Sequence, residues 1–126
     1  MSQPRKIELL APARNVETAI AAIDSGADAV YIGAQQFGAR QAAGNSVEDI
    51  ARLVDYAHIF GVKVYVTLNT ILTDEEIAPV EKLITELYNA GVDALIVQDF
   101  AITKMNKNLQ FRIGHCGVNI LYLLQR

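Results

Sequence analysis

The residues whose types admit chemistry are few and scattered. Arg40 is a guanidinium able to pair with an anionic group, and Asn45, Asn69, Gln98 and Asp99 are polar side chains suited to hydrogen-bonding a small or polymeric substrate. His115 and Cys116 stand side by side and invite a nucleophile-and-base reading. Neighbours on a strand point to opposite faces, so the pair cannot readily touch, and no other His lies near it in sequence. His58 falls near the C-terminal end of a helical pattern, where the helix dipole favours a partly protonated imidazole. Asp74-Glu75-Glu76 would attract a cation, yet acids at a helix start account for it. No GxGxxG, Walker, HExxH, CxxC or GxSxG pattern occurs, and the single cysteine excludes a disulfide framework and a multi-thiolate zinc site. Motifs alone name no reaction, metal or cofactor.

These residues must be positioned by alternating short apolar runs and amphipathic stretches. Ile7 to Ala11 reads as a strand closed by Pro12. From Asn15, a plausible N-cap, Val16, Ala19, Ile20 and Ile23 fall on one helical face, and Ser25-Gly26 stops that helix. Ala29 to Gly33 is a second strand, nearly uniformly apolar as buried parallel strands tend to be. A loop over 34–45 follows, then Ser46 caps a helix whose stripe is Ile50, Leu53, Val54 and Ala57. Val62 to Leu68 is the third strand. Thr73 and Glu76 have capping-box spacing for a third helix, whereas Pro79 suits the first turn of a helix that begins a few residues later. Ala94 to Val97 is the fourth strand, 101–107 a short fourth helix, and Phe111-Arg112-Ile113 opens a fifth strand.

Gly26, Gly61 and Gly91 each separate a helix from the next strand, and Gly26-Ala27-Asp28-Ala29 recurs as Gly91-Val92-Asp93-Ala94 at an offset of 65 residues, about two βα units. The class is α/β with a parallel sheet. Its 126 residues fit one domain, either half of a (β/α)₈ barrel, which takes ~250 residues, or a complete flavodoxin-like doubly wound sheet. The apolar run Val118 to Leu124 favours the half barrel, an N-terminal piece of a larger one whose open side is covered by a second copy. In both architectures ligands approach the carboxyl ends of the strands, where Arg40, Asn45, Asn69, Gln98 and Asp99 fall. A net charge of −3 gives no global basic field toward nucleic acid, and no apolar stretch reaches the ~20 residues of a membrane span. The reading is a cytoplasmic chain without a membrane partner.

Four ordered blocks carry a resemblance. Leu9 to Ala13, Gly26 to Gly33, Phe37-Gly38-Ala39-Arg40 with Ala43-Gly44-Asn45, and Val62 to Thr70 resemble the N-terminal part of the collagenase-like peptidase family U32, of unassigned catalytic type, and the match runs on through Leu95 to Asp99. The resemblance implies a TIM-barrel-type segment of a longer protein carrying a protease label, incomplete as a catalyst by itself. It equally implies relatives that hydroxylate RNA bases or ubiquinone precursors, some with an iron–sulfur cluster. Peptide and RNA thus both stand as substrate classes, beside a non-catalytic, self-associating βα module. The cluster cysteines of the family lie beyond residue 126, and one thiolate cannot replace a set usually of four. Two departures stand out: Arg14 replaces the family's usual Gly after Ala-Pro-Ala, and His115-Cys116-Gly117-Val118-Asn119 lacks the polar tail that follows the family's His.

Overall fold

The computed structural model describes residues 7–34, 44–68, 74–97, 112–115 and 122–125. The expected fourth helix at 101–107 and the Thr73 cap lie outside them. The elements are β1 (Leu10–Ala13), α1 (Val16–Asp24), β2 (Ala29–Gly33), α2 (Val47–Ile59), β3 (Lys63–Leu68), a 3₁₀ turn (Asp74–Glu76), α3 (Ile77–Ala90), β4 (Ala94–Val97), β5 (Arg112–His115) and β6 (Tyr122–Gln125).

Local chemistry sets the helix bounds. The Asn15 side chain accepts the Thr18 amide at 2.9 Å and starts α1, and the Ser46 hydroxyl accepts the Asp49 amide at 3.2 Å and starts α2. Gly26, Gly61 and Gly91 end the three helices at φ of 103°, 70° and 94°, where a Cβ would be strained. Pro79 is the third residue of α3, in the first turn, where its missing N–H has no intrahelical acceptor to lose. The later of the two expected starts is therefore the observed one. β1 runs from Leu10 rather than Ile7, and Pro12 lies inside it instead of closing it. β1 is an edge strand, where a residue lacking an N–H is tolerated.

β1 to β4 are parallel and adjacent in chain order, with the full sheet running β1-β2-β3-β4-β6-β5. Val30, Ile32, Val64, Val66, Leu68 and Leu95 pack in one core with Ile23 of α1, Leu53 of α2 and Leu87 of α3. The alternate positions Ala29, Tyr65 and Ala94 cluster separately, with Tyr31 and Ile96 against them. All three helices thus cover one face, and the strand order never reverses. A flavodoxin-like sheet carries helices on both faces and a switch point, neither of which occurs among the described residues. The singly wound layout of β1 to β4 is compatible with an arc of a βα barrel.

The repeated Gly-x-Asp-Ala has a defined structural task. Asp28 donates its N–H to Leu9 O (2.9 Å) and accepts the Leu9 N–H on Oδ2 (2.8 Å). Asp93 does the same to Val64, at 3.0 and 2.8 Å. Each aspartate therefore clasps the start of the preceding strand. Lys63 holds the corresponding place on β3, and there a carboxylate would find no donor. The amides of Asp28 and Ala29 already donate to Leu9 O, at 2.9 and 3.2 Å. Consecutive clasps are incompatible, which is why the motif returns after two units and not one.

Beyond β4 the pattern changes. β5 forms where the fifth strand is expected but does not sit beside β4. The end of the apolar run forms β6, antiparallel to both β4 and β5, and it covers the β4 edge within the chain.

Candidate functional site at the carboxyl ends of the strands

The carboxyl ends of β1 to β3 are described around Arg14, Gly33, Asn45 and Leu68. Asn45 is the organising side chain. Its Nδ2 donates to Arg14 O (3.1 Å) and Gly33 O (2.9 Å), and its backbone N–H donates to Gly33 O (3.1 Å). Ala34 in turn donates its N–H to Thr67 O at 3.4 Å. One half-buried amide thus joins the β1–α1 connection to the end of β2, and the end of β2 is joined to β3. Asn45 is expected from sequence as a pocket-lining hydrogen-bonder. In the structure its amide donors hold main-chain carbonyls. Two other polar residues of this rim, Asn15 and Ser46, are engaged as helix caps. The Arg14 side chain is exposed at the rim and places a cation there.

Arg40, Asn69, Gln98, Asp99 and Cys116 lie outside the described residues. His115 is the last residue of β5. It faces Tyr122 of β6, which also faces Val97, so His115 stands level with the carboxyl end of β4. The topology therefore brings His115 to the same end of the sheet as Asn45, several strands away.

Sequence reasoning places His58 at a helix end but misses its partner. His58 Nε2 lies 2.8 Å from Asp93 Oδ2, so the same carboxylate serves β3 and α2. The Asp of the repeat was the available signal. The Tyr65 hydroxyl donates to the Glu8 carboxylate, with both oxygens at 3.0 Å. This contact crosses from β3 to the residues before β1, and no local pattern announces it. A hollow of about 210 Å³ lined by Glu8, Asp28, Gly61 and Lys63 opens at the amino ends of the strands. That end builds stability in this class of fold, and Asp28 is already committed to Leu9.

Among the described residues no group of three or more His, Cys, Asp or Glu is placed to hold a metal ion. An iron–sulfur cluster, usually held by four thiolates, does not fit a chain with one cysteine, so no step is derived through it. Among the described residues no helix is long and apolar enough to cross a membrane.

The fold and rim define a βα-repeat segment with its strand-to-helix loops gathered at the carboxyl end of the sheet. Residues 14–115 match the model of peptidase family U32, and the chain belongs to that family. It is 57% identical over 101 residues to the 23S rRNA 5-hydroxycytidine C2501 synthase of Escherichia coli (strain K12), covering 80% of this chain and 16% of that protein. It is 43% identical over 96 residues to tRNA hydroxylation protein P1 of Bacillus subtilis (strain 168), covering 75% and 23%. It is 35% identical over 96 residues to a collagenase of Porphyromonas gingivalis (strain ATCC BAA-308 / W83), again covering 75% and 23%. The chain spans less than a quarter of the length of these relatives.

Proposed function

We propose that this chain is the N-terminal βα segment of an RNA-base hydroxylation enzyme of family U32, acting in the cytoplasm, with a ribosomal RNA cytidine as its first substrate to test. The observation that carries the reading is the 57% identity over 101 residues to a 23S rRNA 5-hydroxycytidine synthase, against 35% to a collagenase. In this reading the segment supplies one wall of the site. Asn45 holds the first two loops in place, Arg14 and Arg40 offer cations to the phosphate backbone, and Asn69, Gln98 and Asp99 address polar groups of the base. The net charge of −3 implies that most phosphate contacts come from the rest of a longer polypeptide. The segment alone is inactive, and its single thiolate does not support cluster chemistry.

The test is a chimera in which residues 14–115 replace the matching segment of the Escherichia coli relative. In cells lacking that relative, mass spectrometry of 23S rRNA should recover 5-hydroxycytidine. A folded chimera that leaves the cytidine unmodified and cleaves gelatin would instead support the protease reading.

A second reading, self-association through the side of the sheet opposite α1 to α3, is favoured by the exposure of Leu9 and Leu10, 59% and 40%, beside the β1 edge. Light scattering across a concentration series tests it. A constant monomer mass would remove it.

A further inference from the structure

We infer that the edge of β4 away from β3 is a seat for which two strands of this chain compete, held by β6 and fitted by β5. Direction comes first. β6 is antiparallel to both neighbours, so β5 runs the same way as β1 to β4. Height comes second. Val97 and His115 both face Tyr122, while Ala94 and Arg112 both face Gln125. β5 is therefore already level with β4, displaced sideways by the width of one strand. The connection between them, residues 98–111, has 14 residues, and a parallel crossover needs roughly a dozen or more.

The family match supplies an independent observation. It ends at residue 115, the last of β5, and β6 at Tyr122–Gln125 falls wholly beyond it. The strand that holds β5 away from β4 thus lies outside the residues that the family model matches. Energetics decide which strand wins here. With β6 in place, two antiparallel ladders form, β4–β6 and β6–β5. With β5 in the seat, one parallel ladder replaces both, and parallel pairing is slightly weaker per residue. β6 holds the seat while its own ladder is intact. Weakening β6 hands the seat to β5, which would extend the run of parallel strands to five.

A distance reports the exchange. Ile96 and Gly114 both face Leu123. Across an intervening strand their Cα atoms are two spacings apart, about 9.6 Å, and side by side about 4.8 Å. A disulfide spans only Cα separations up to about 7 Å. The experiment introduces Ile96→Cys and Gly114→Cys into the full chain with Cys116→Ser, under glutathione buffer, and reads disulfide fraction by mass spectrometry. Amide exchange of β4 is followed in parallel. Leu123→Pro and Leu124→Pro are then added separately. Successive amides on a strand point to opposite neighbours, so one variant cuts the β4 side of β6 and the other the β5 side.

The expected result is little disulfide without proline and about tenfold more with the proline that cuts the β4 side, the shift given by one lost ladder hydrogen bond. The β4 amides should stay protected, now by β5. A disulfide that forms equally without proline would overturn the proposal, since β6 would not lie between the strands. So would β4 amides that lose protection without cross-linking while the helical circular dichroism persists. A solution mass that doubles only in the proline variants would also overturn it, giving the seat to a second copy. Should the proline variants lose helical signal, Leu123→Gly with Leu124→Gly weakens β6 more gently and must move the disulfide fraction in the same direction.

Discussion

The two ends of the sheet are held together by opposite means. At the amino ends, acidic side chains reach from strand to strand and from helix to helix: Asp28 to Leu9, Asp93 to Val64 and His58, Glu8 to Tyr65, and Asp24 to the Tyr56 hydroxyl at 2.6 Å. At the carboxyl ends, among the described residues, a single amide side chain, Asn45, spans two connections. Connection lengths are uniform at one end and varied at the other. The helix-to-strand links at the amino end have four, three and three residues, at 25–28, 60–62 and 91–93, whereas at the carboxyl end the β1–α1 link has two, at 14–15, and the β2–α2 link 13, at 34–46. Short links with a repeated clasp fix the frame. Long links leave room for chemistry that differs between relatives.

The largest test of this contrast is Asp93→Ala. It strips a partner from both the Val64 amide and His58, and should lower stability by about 2–3 kcal/mol in urea unfolding. Asp28→Ala removes one bond of the same kind and should lose less, about 1–2 kcal/mol. Equal losses would show that the His58 contact contributes nothing. Asn45→Ala should cost about 1 kcal/mol overall, with faster amide exchange confined to 13–16 and 33–34 while the amino ends stay protected. Exchange that rises uniformly would erase the distinction between the two ends.

Lys63→Asp should bring no gain, within about 0.5 kcal/mol of the parent, even though it completes the sequence repeat. The amides that it would need are already donated to Leu9. A clear stabilisation would refute the account of why the motif skips a unit. The smallest effect concerns pH. The Asp24 carboxylate, which accepts the Tyr56 hydroxyl, raises the phenol above its ordinary 10.0. A group raised on folding contributes stability that is complete below its unfolded value and is lost as pH climbs through the folded one. The contribution therefore fades only above about pH 10. Asp24→Asn should return the Tyr56 absorbance titration toward 10.0 and flatten that alkaline decline.

The frame was legible in the sequence because each signal was local. Asn15, Ser46, the helix-ending glycines and the stripe Ile50, Leu53, Val54 and Ala57 all act within a turn or two of themselves. β1 was misplaced because Pro12 reads as a strand breaker until one knows that it sits on an edge. The fifth strand was legible in position, at Arg112, but not in pairing. Pairing depends on a competitor at 122–125 whose choice of neighbour no periodicity encodes. For the site, Asn45 was legible as a residue at the carboxyl ends of the strands, but its hold on the Arg14 and Gly33 carbonyls was not, because the same amide suits a ligand or the backbone. Glu8 and Tyr65, 57 residues apart, were invisible for want of any local pattern.

The bridge between Ala34 and Asn45 has a consequence for how such a protein can diversify. Two paired residues bracket positions 35–44, and the pairing depends on main-chain groups and one amide, not on what lies between. Doubling the bracketed length would raise the closure entropy by only about 0.6 kcal/mol. Insertions, deletions and wholesale replacement there need no compensating change in any strand. The neck at Asn45 is a splice point: the ten positions that it brackets can be rewritten while the βα frame below is inherited unchanged.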